Sequence, residues 1–580
     1  IFLKYTGTLD SACTITIGPN TVSKLWFIEN ATSGSQNIII KQGSGATITI
    51  ANGQTKAIYS DGAGSGGAMV DAFQDLSIPD LFVSGDLDVD GTANLDAVDV
   101  DGTVNFAADV TFADGADIIT ASAGTDNVRI GATAGDSIQS GGNYNTLVGT
   151  NAGTAITTGD ENTALGYTAL QASDTASQNV AIGKAALLAD TKGAQSVAVG
   201  ANTLQSQNFT TATNTFNVAV GYFAGQQVTT ATRSVLIGGL SGDALTTGSR
   251  NNVIGYNALG SDTLGARATA LGYGALQTQN FTTATENYNT ALGYNAGGSV
   301  TTGVQNTFVG ALAGDGVQDA DRNIAIGYQA LTEDDLGSRT VAIGAGAVFS
   351  QNYATATDSH NVSIGDLSLF YNVTGVNNTF VGSAAGLGAS GNSHSNNTGV
   401  GKSALGAITT GANNVAVGSL AGDAITSADF NIAIGGQALG GNVLGGNSVA
   451  VGHAALLVQN PATATDMYNV AVGHAAGLNV TTGVRNTIIG GLAGDALTDA
   501  GSNVAIGYLA MSTNTSGSDN TAIGRGTLEN YNVTTTTSTF NVAIGHEAGN
   551  DITTGFRNIL IGGRAGDALT DADYNVAIGT

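Results

Sequence analysis

The chain is poor in the residues that punctuate or cross-link ordinary globular domains. It has 1 cysteine, 3 prolines, 3 methionines and 1 tryptophan in 580 residues. A single Cys13 excludes an intramolecular disulfide framework and any site built on several thiolates, and in its strand-like run it reads as a small core residue. Charge is also scarce at 11%, and it is lopsided: 17 Lys and Arg stand against 44 Asp and Glu, a net charge of −27. Nucleic-acid binding needs clustered cations at phosphate spacing, so that class of partner is not expected. No run of about 18 apolar residues is present, so no membrane insertion is expected. The chain begins at Ile1 rather than Met and ends one residue after a repeat glycine, so the expectation is that both natural ends lie beyond it, where a signal peptide or a C-terminal module would not be visible.

What is abundant is glycine, 85 residues, together with 42% apolar residues in strict period. The phrase Asn-x-Ala-Ile-Gly returns from about residue 145 to the end. Gly166, Gly183, Gly200 and Gly221 stand 17, 17 and 21 residues apart, and the pattern recurs as a superperiod of 72. One irregular patch near Leu387 to Asn397 adds intervals of 17 and 19. A fixed short period marks an array in which each unit buries its apolar face only by stacking on the next. Seventeen residues are too few for a strand, a crossover helix and a return, but they suit one turn of a parallel β-solenoid (β-roll or β-helix). About 25 such turns at roughly 4.8 Å each would extend close to 120 Å.

Three regions are expected: residues 1–79 as a small β-sandwich or jelly roll, 80–140 as an Asp-rich β stem, and 141–580 as the solenoid. The first has strand-length runs such as Asn37-Ile38-Ile39-Ile40-Lys41 between turn formers. Trp26 reads as core. In the stem, Asp86-x-Asp88-x-Asp90-Gly91 matches the first half of a calcium loop. The twelfth position is Ala97 rather than Glu, and Leu87 and Val89 alternate as in a strand. Asp86, Asp88 and Asp90 are therefore a weak divalent-cation candidate beside a structural reading.

Within the repeat, Val504 and Ile506 point to one side of a strand and Ala505 to the other. The expectation is that the large residues fill the chain's own core, while the Ala column, with Ala543 its equivalent, meets another copy. The 21-residue turns carry Gln207-Asn208-Phe209, Gln279-Asn280-Phe281, Gln351-Asn352-Tyr353, Gln459-Asn460 and Tyr531-Asn532 in one register. Insertions in solenoids map to loops on one face, often the binding face. Asn208, Phe209, Asn280, Phe281, Asn352, Tyr353, Asn460 and Asn532 are the binding candidates, with a packing buttress as the alternative. A second column, including Tyr256, Tyr273, Tyr294, His453 and His474, reads as a stacked ladder. No catalytic constellation breaks the repeat, so neither enzymatic activity nor a cofactor is expected.

The segment Leu25-Trp26-Phe27-Ile28-Glu29-Asn30-Ala31-Thr32, the stem Val83-Ser84-Gly85-Asp86-Leu87-Asp88-Val89-Asp90-Gly91 and repeats such as Asn323-Ile324-Ala325-Ile326-Gly327-Tyr328 together resemble long tail fibre and structural proteins of marine tailed bacteriophages. The repeat alone also resembles the heads of trimeric autotransporter adhesins of Gram-negative bacteria. The first resemblance implies an extracellular fibre of a phage virion, a homotrimer that joins other tail proteins and helps attach to a host surface polysaccharide or protein. The second implies a bacterial surface adhesin. A polysaccharide-cleaving tailspike is the enzymatic alternative.

Overall fold

The computed structural model describes residues 1–73, 82–86 and 122–580. The chain divides into two units, Ile1–Phe112 and Ala113–Thr580, each taken by itself. Most of the expected stem, with Asp88 and Asp90 of the candidate cation loop, lies outside the described residues; Asp86 is exposed.

Among its described residues the first unit has seven strands: β1 Phe2–Thr8, β2 Cys13–Thr16, β3 Lys24–Ser33, β4 Ile38–Lys41, β5 Ile48–Ile50, β6 Thr55–Ser60 and β7 Met69–Asp71. They form two sheets, β1-β3-β6-β7 and β2-β4-β5. Ile28, Ile38, Ile40, Ile50, Ile58 and Met69 are buried together, and Trp26 packs on them. The sandwich expectation holds, but the jelly-roll one does not, because β1 and β3 pair in parallel, as do β2 and β4. Phe2 lies beside Phe27 and Cys13 beside Ile38, both 25 residues apart. Two successive coils of 25 residues therefore precede the antiparallel strands, an arrangement the strand-length runs did not reveal.

The second unit is a parallel β-solenoid. Among the described residues its main sheet contains 26 three-residue strands, from Val128–Ile130 to Val576–Ile578. Neighbours are in register one turn apart, as Val504, Ala505 and Ile506 are with Thr521, Ala522 and Ile523. The coil starts earlier than residue 141: Val128–Ile130 already pairs with the next strand, and Ala134 and Ile138 are in the core.

Two columns hold the turns together. The repeat glycines have φ near +135°, and a Cβ on Gly507 would sit 2.5 Å from the carbonyl oxygen of Gly524 in the next turn. The asparagine that opens most phrases is buried and bonded along the axis. Asn503 donates through Nδ2 to Gly517 O (3.0 Å), while its Oδ1 accepts from the backbone N of Asn520 (3.0 Å). Each turn thereby closes its own corner and caps the next.

The assignment of faces is the reverse of expectation. The central residue of each strand points into the chain's own core: Ala164, Ala181, Ala505 and Ala543 are all 0% exposed. The flanking large residues point out, and Ile324, Ile432 and Ile489 remain 37%, 38% and 38% exposed. The physical reason is the narrow bore of a 17-residue coil. Six residues after the strand centre, a corner residue such as Leu170 or Leu187 comes back to face it, leaving room for only one large side chain.

The 72-residue superperiod is visible in the same columns, where a turn with a small centre and a Gly corner, such as Ala219 with Gly225 or Ala291 with Gly297, precedes a turn with a large centre. Where the strand centre is large, as at Leu236, Phe308 and Leu560, the facing corner is Gly242, Gly314 and Gly566; where it is Ala270 or Ala325, the corner is Leu276 or Leu331. A Cβ on Gly314 would lie 2.2 Å from Cε1 of Phe308. Three residues after a Gly corner the core receives an apolar residue such as Val228, Leu245 or Val317. After many Leu corners the same place holds Asp190, Gln207, Asp262 or Gln279. Polar and apolar pairs of turns therefore alternate, and each long turn falls where the polar pair ends.

Candidate functional site

The long turns are built around buried polar plugs. Residues Gly193–Ala194 and Thr213–Asn214 form a two-residue parallel ladder, and the other long turns repeat it. Beneath the second of them, Asp262 accepts from the backbone N of Gly265 (3.0 Å) and from Nε2 of Gln279 (2.7 Å). Gln279 in turn accepts from Nδ2 of Asn289 (2.8 Å), joining the plug to the asparagine column.

This packing decides the fate of the binding candidates. Phe209, Phe281 and Tyr353 are 7%, 5% and 4% exposed, so their rings close the core above the plug and offer no surface to a ligand. Tyr353 also donates to Gly375 O (2.9 Å). Asn208, Asn280 and Asn352 are exposed, but the first two accept from Thr191 and Thr263 hydroxyls at 3.0 Å. Asn532 accepts from the Thr515 hydroxyl (2.8 Å), and Asn460 from the backbone N of Val443 (3.4 Å). These residues tie one turn to the one before it, which is the buttress alternative.

Burial raises the carboxyl pKa of Asp190 and Asp262, and it takes Asp334 to about 6. At the same corner further along stand Asn442 and Asn514, each donating to the carbonyl of the glycine three residues on. A protonated Asp can make that same donation, so the corner accommodates a neutral side chain. With its pKa raised in the fold, Asp334 contributes stability that is full below the ordinary Asp range and is lost as pH rises to about 6. Asp334→Asn is therefore expected to stabilise the fold at pH 7 by roughly 1–2 kcal/mol, after loss of the Gln351 bond, and to flatten the melting temperature between about pH 4 and 6. Melts across that range check it; a variant less stable than wild type at pH 7 would show that the carboxylate is needed as such.

In the irregular patch Ala389, Ser390 and Gly391 are exposed, and the one ionisable side chain lies inside. His394 is buried edge-on to Phe380, with centroids 5.5 Å apart, and burial pulls its pKa down to about 4. It stays neutral through the physiological range.

The surface beside the long turns is grooved. One groove of about 240 Å³ is lined by Thr247, Ser249, Arg250, Leu264, Thr285 and Glu286. An equivalent of about 380 Å³, at the same positions of a later superperiod, includes Leu444, Thr465 and Asp466. The exposed ladder column stacks as expected: Tyr256, Tyr273 and Tyr294 lie at successive centroid distances of 5.5 Å, and His453 and His474 at 5.4 Å. Among the described residues no group of three or more His, Cys, Asp or Glu is placed to hold a metal ion, and no helix is long and apolar enough to cross a membrane.

No protein-family model matches the chain, and no curated protein matches it.

Proposed function

We propose that the chain is a non-catalytic structural segment of an extracellular virion fibre, a homotrimer that carries a host-attachment end away from the particle and joins other tail proteins. The observation that supports this reading is the open apolar face of the solenoid. Flanking residues such as Ile324, Ile326, Ile432 and Ile434 are each 36% exposed or more, and the same outward positions, filled mostly by Val, Ile, Leu and Thr, recur over the 26 strands among the described residues. Such a face far exceeds the few hundred Å² that a soluble monomer usually leaves as one patch. It also exceeds the ~800 Å² per partner of a standard interface. Cyclic symmetry about an axis along the coil, with all copies parallel, would close such a face over its whole length. The seam is thus made by the Val and Ile columns rather than by Ala. Where the repeat breaks, the one ionisable side chain, His394, is an interior one, which favours scaffold over a polysaccharide-cleaving tailspike.

Light scattering tests the reading. The wild type is expected at three times 57.4 kDa. Val504→Asp with Ile506→Asp should weaken or abolish assembly by placing charges in the seam. Ala505→Leu, which overpacks the chain's own core, should lower the melting point by the equivalent of about 1–3 kcal/mol while keeping the trimeric mass. A wild type that stays monomeric at every concentration would sink the proposal. A trimeric bacterial surface adhesin is the second reading, supported by the same phrase; neighbouring phage structural genes or a terminal outer-membrane barrel in the full reading frame separate the two.

A further inference from the structure

One corner column carries charge against the trend of the whole chain. The residue just before each buried Asn or its equivalent is held at positive φ with its side chain outward, and in five successive turns it is Phe216, Arg233, Arg250, Arg267 and Tyr288. Seven of the ten arginines in the chain stand in this column, the others being Arg322, Arg339, Arg485 and Arg557. An exposed aromatic and an arginine alternate again at Phe540, Arg557 and Tyr574, where the guanidinium carbon lies 6.0 Å and 5.3 Å from the two ring centroids.

The triplet is the richest in uncompensated charge. Arg267 pairs with Glu286 (2.8 Å) and lies 5.3 Å from the Tyr288 ring centroid, while Tyr288 donates to the other Glu286 oxygen (2.7 Å). Arg233 and Arg250 have no ion-pair partner among the described residues, so three cations face one carboxylate. Turns about 4.8 Å apart bring like charges close enough to cost up to about 1 kcal/mol per neighbouring pair in water. On a chain of net charge −27, nothing in the fold requires that arrangement.

We propose that the column from Phe216 to Tyr288, with the groove of Thr247, Ser249 and Glu286 beside it, binds an acidic polysaccharide laid along the fibre axis. The proposal rests on the reading of the chain as an attachment fibre and names the chemistry of what it attaches to. An extended glycan advances by about one coil turn per sugar, so successive uronate or other anionic groups meet successive guanidiniums. Phe216 and Tyr288, 49% and 45% exposed, bound the triplet as platforms for the apolar faces of sugar rings. The groove adds hydroxyls for hydrogen bonding. A nucleic acid would bring a phosphate at every unit against a strongly negative fibre and only three cations, so a sparser anionic polymer is the better fit.

Binding of a galacturonate oligomer to the full chain, measured by calorimetry at low and moderate salt, tests this. The wild type should bind with salt-dependent affinity and bind neutral dextran at least tenfold more weakly. Arg233→Gln/Arg250→Gln/Arg267→Gln should weaken Kd at least tenfold. A control removing the same charge elsewhere, Lys402→Gln/Arg525→Gln/Arg564→Gln, should stay within about twofold. Absence of wild-type binding, equal binding of dextran, equal loss in the control, or tighter binding of a single-stranded DNA oligomer would each overturn the proposal. Light scattering on the same samples separates the two ideas: a monomeric wild type fails the fibre reading, whereas an intact trimer that ignores galacturonate fails only this one.

Discussion

Phe308→Ala is expected to open the solenoid at its middle, at a cost of about 3–5 kcal/mol. Phe308 is fully buried, and the two coil corners that bracket its ring are Gly297 and Gly314. Their missing side chains are the room the ring occupies, since a Cβ on either would lie 2.7 Å and 2.2 Å from ring carbons. Once the ring is removed, no neighbouring side chain can relax into the space, which places the cost toward the top of the range.

The chain supplies its own rescue. One turn on, the strand centre is Ala325 and the corner is Leu331, held at φ +55°. Gly314→Leu alone should overpack the core against Phe308, but Gly314→Leu combined with Phe308→Ala recreates the Ala and Leu pairing of the next turn. The double variant is therefore expected to recover part of the loss, with a coupling of about 1–3 kcal/mol. Because a solenoid is quasi-one-dimensional, the damage should also be local. Limited proteolysis should cut first between residues 297 and 317, and amide exchange should accelerate there. A Phe308→Ala protein with wild-type melting and no new cleavage would refute the account of complementary columns.

Asn503→Leu is the second large effect, expected at about 2–3 kcal/mol. It removes no charge and keeps roughly the same volume, so the cost comes from hydrogen bonds. Gly517 O loses one of its two side-chain donors and keeps Asn514 Nδ2, Asn520 Nδ2 keeps Ser518 O, and the backbone N of Asn520 is left without its acceptor. Each buried polar group left unpaired costs about 1–3 kcal/mol, and Leu returns only part of that through burial. Asn503→Ser should cost much less, because a hydroxyl already serves in this column: Ser234 accepts from the backbone N of Asn251 at 3.2 Å. Melts of the two variants check the order. If Leu proved as stable as Ser, the asparagine column would be packing rather than bonding.

Much of this fold was legible without coordinates. The glycine spacing implied a coil, and the low count of Pro, Cys and charge left little else that could use such a period. Other features were out of reach for definite reasons. The plugs at Asp190, Asp262 and Asp334 pair with Gln207, Gln279 and Gln351, each 17 residues on, and no local pattern relates them. Phe209 and Phe281 look like exposed loop aromatics in sequence, and only the ladder that folds the long turn over the plug turns them inward. The arginine column was missed because its members are scattered through the sequence; the shared offset before each phrase was the signal that could have found it.

Sequence alone determined the period, the all-β coil and which residues share a face, since strand alternation places Val504 with Ile506 and apart from Ala505. It did not determine which face is inside. Alternation is symmetric between the two sides, and large residues ordinarily mark a core. Only the tertiary structure showed that the corner column of Leu170, Leu187 and Leu331 returns to within packing distance of the strand centres. That leaves a bore in which Leu331 meets the small Ala325 and the ring of Phe308 fills the room left by Gly314 and by Gly297 of the turn before, and it sends valine and isoleucine to the outside.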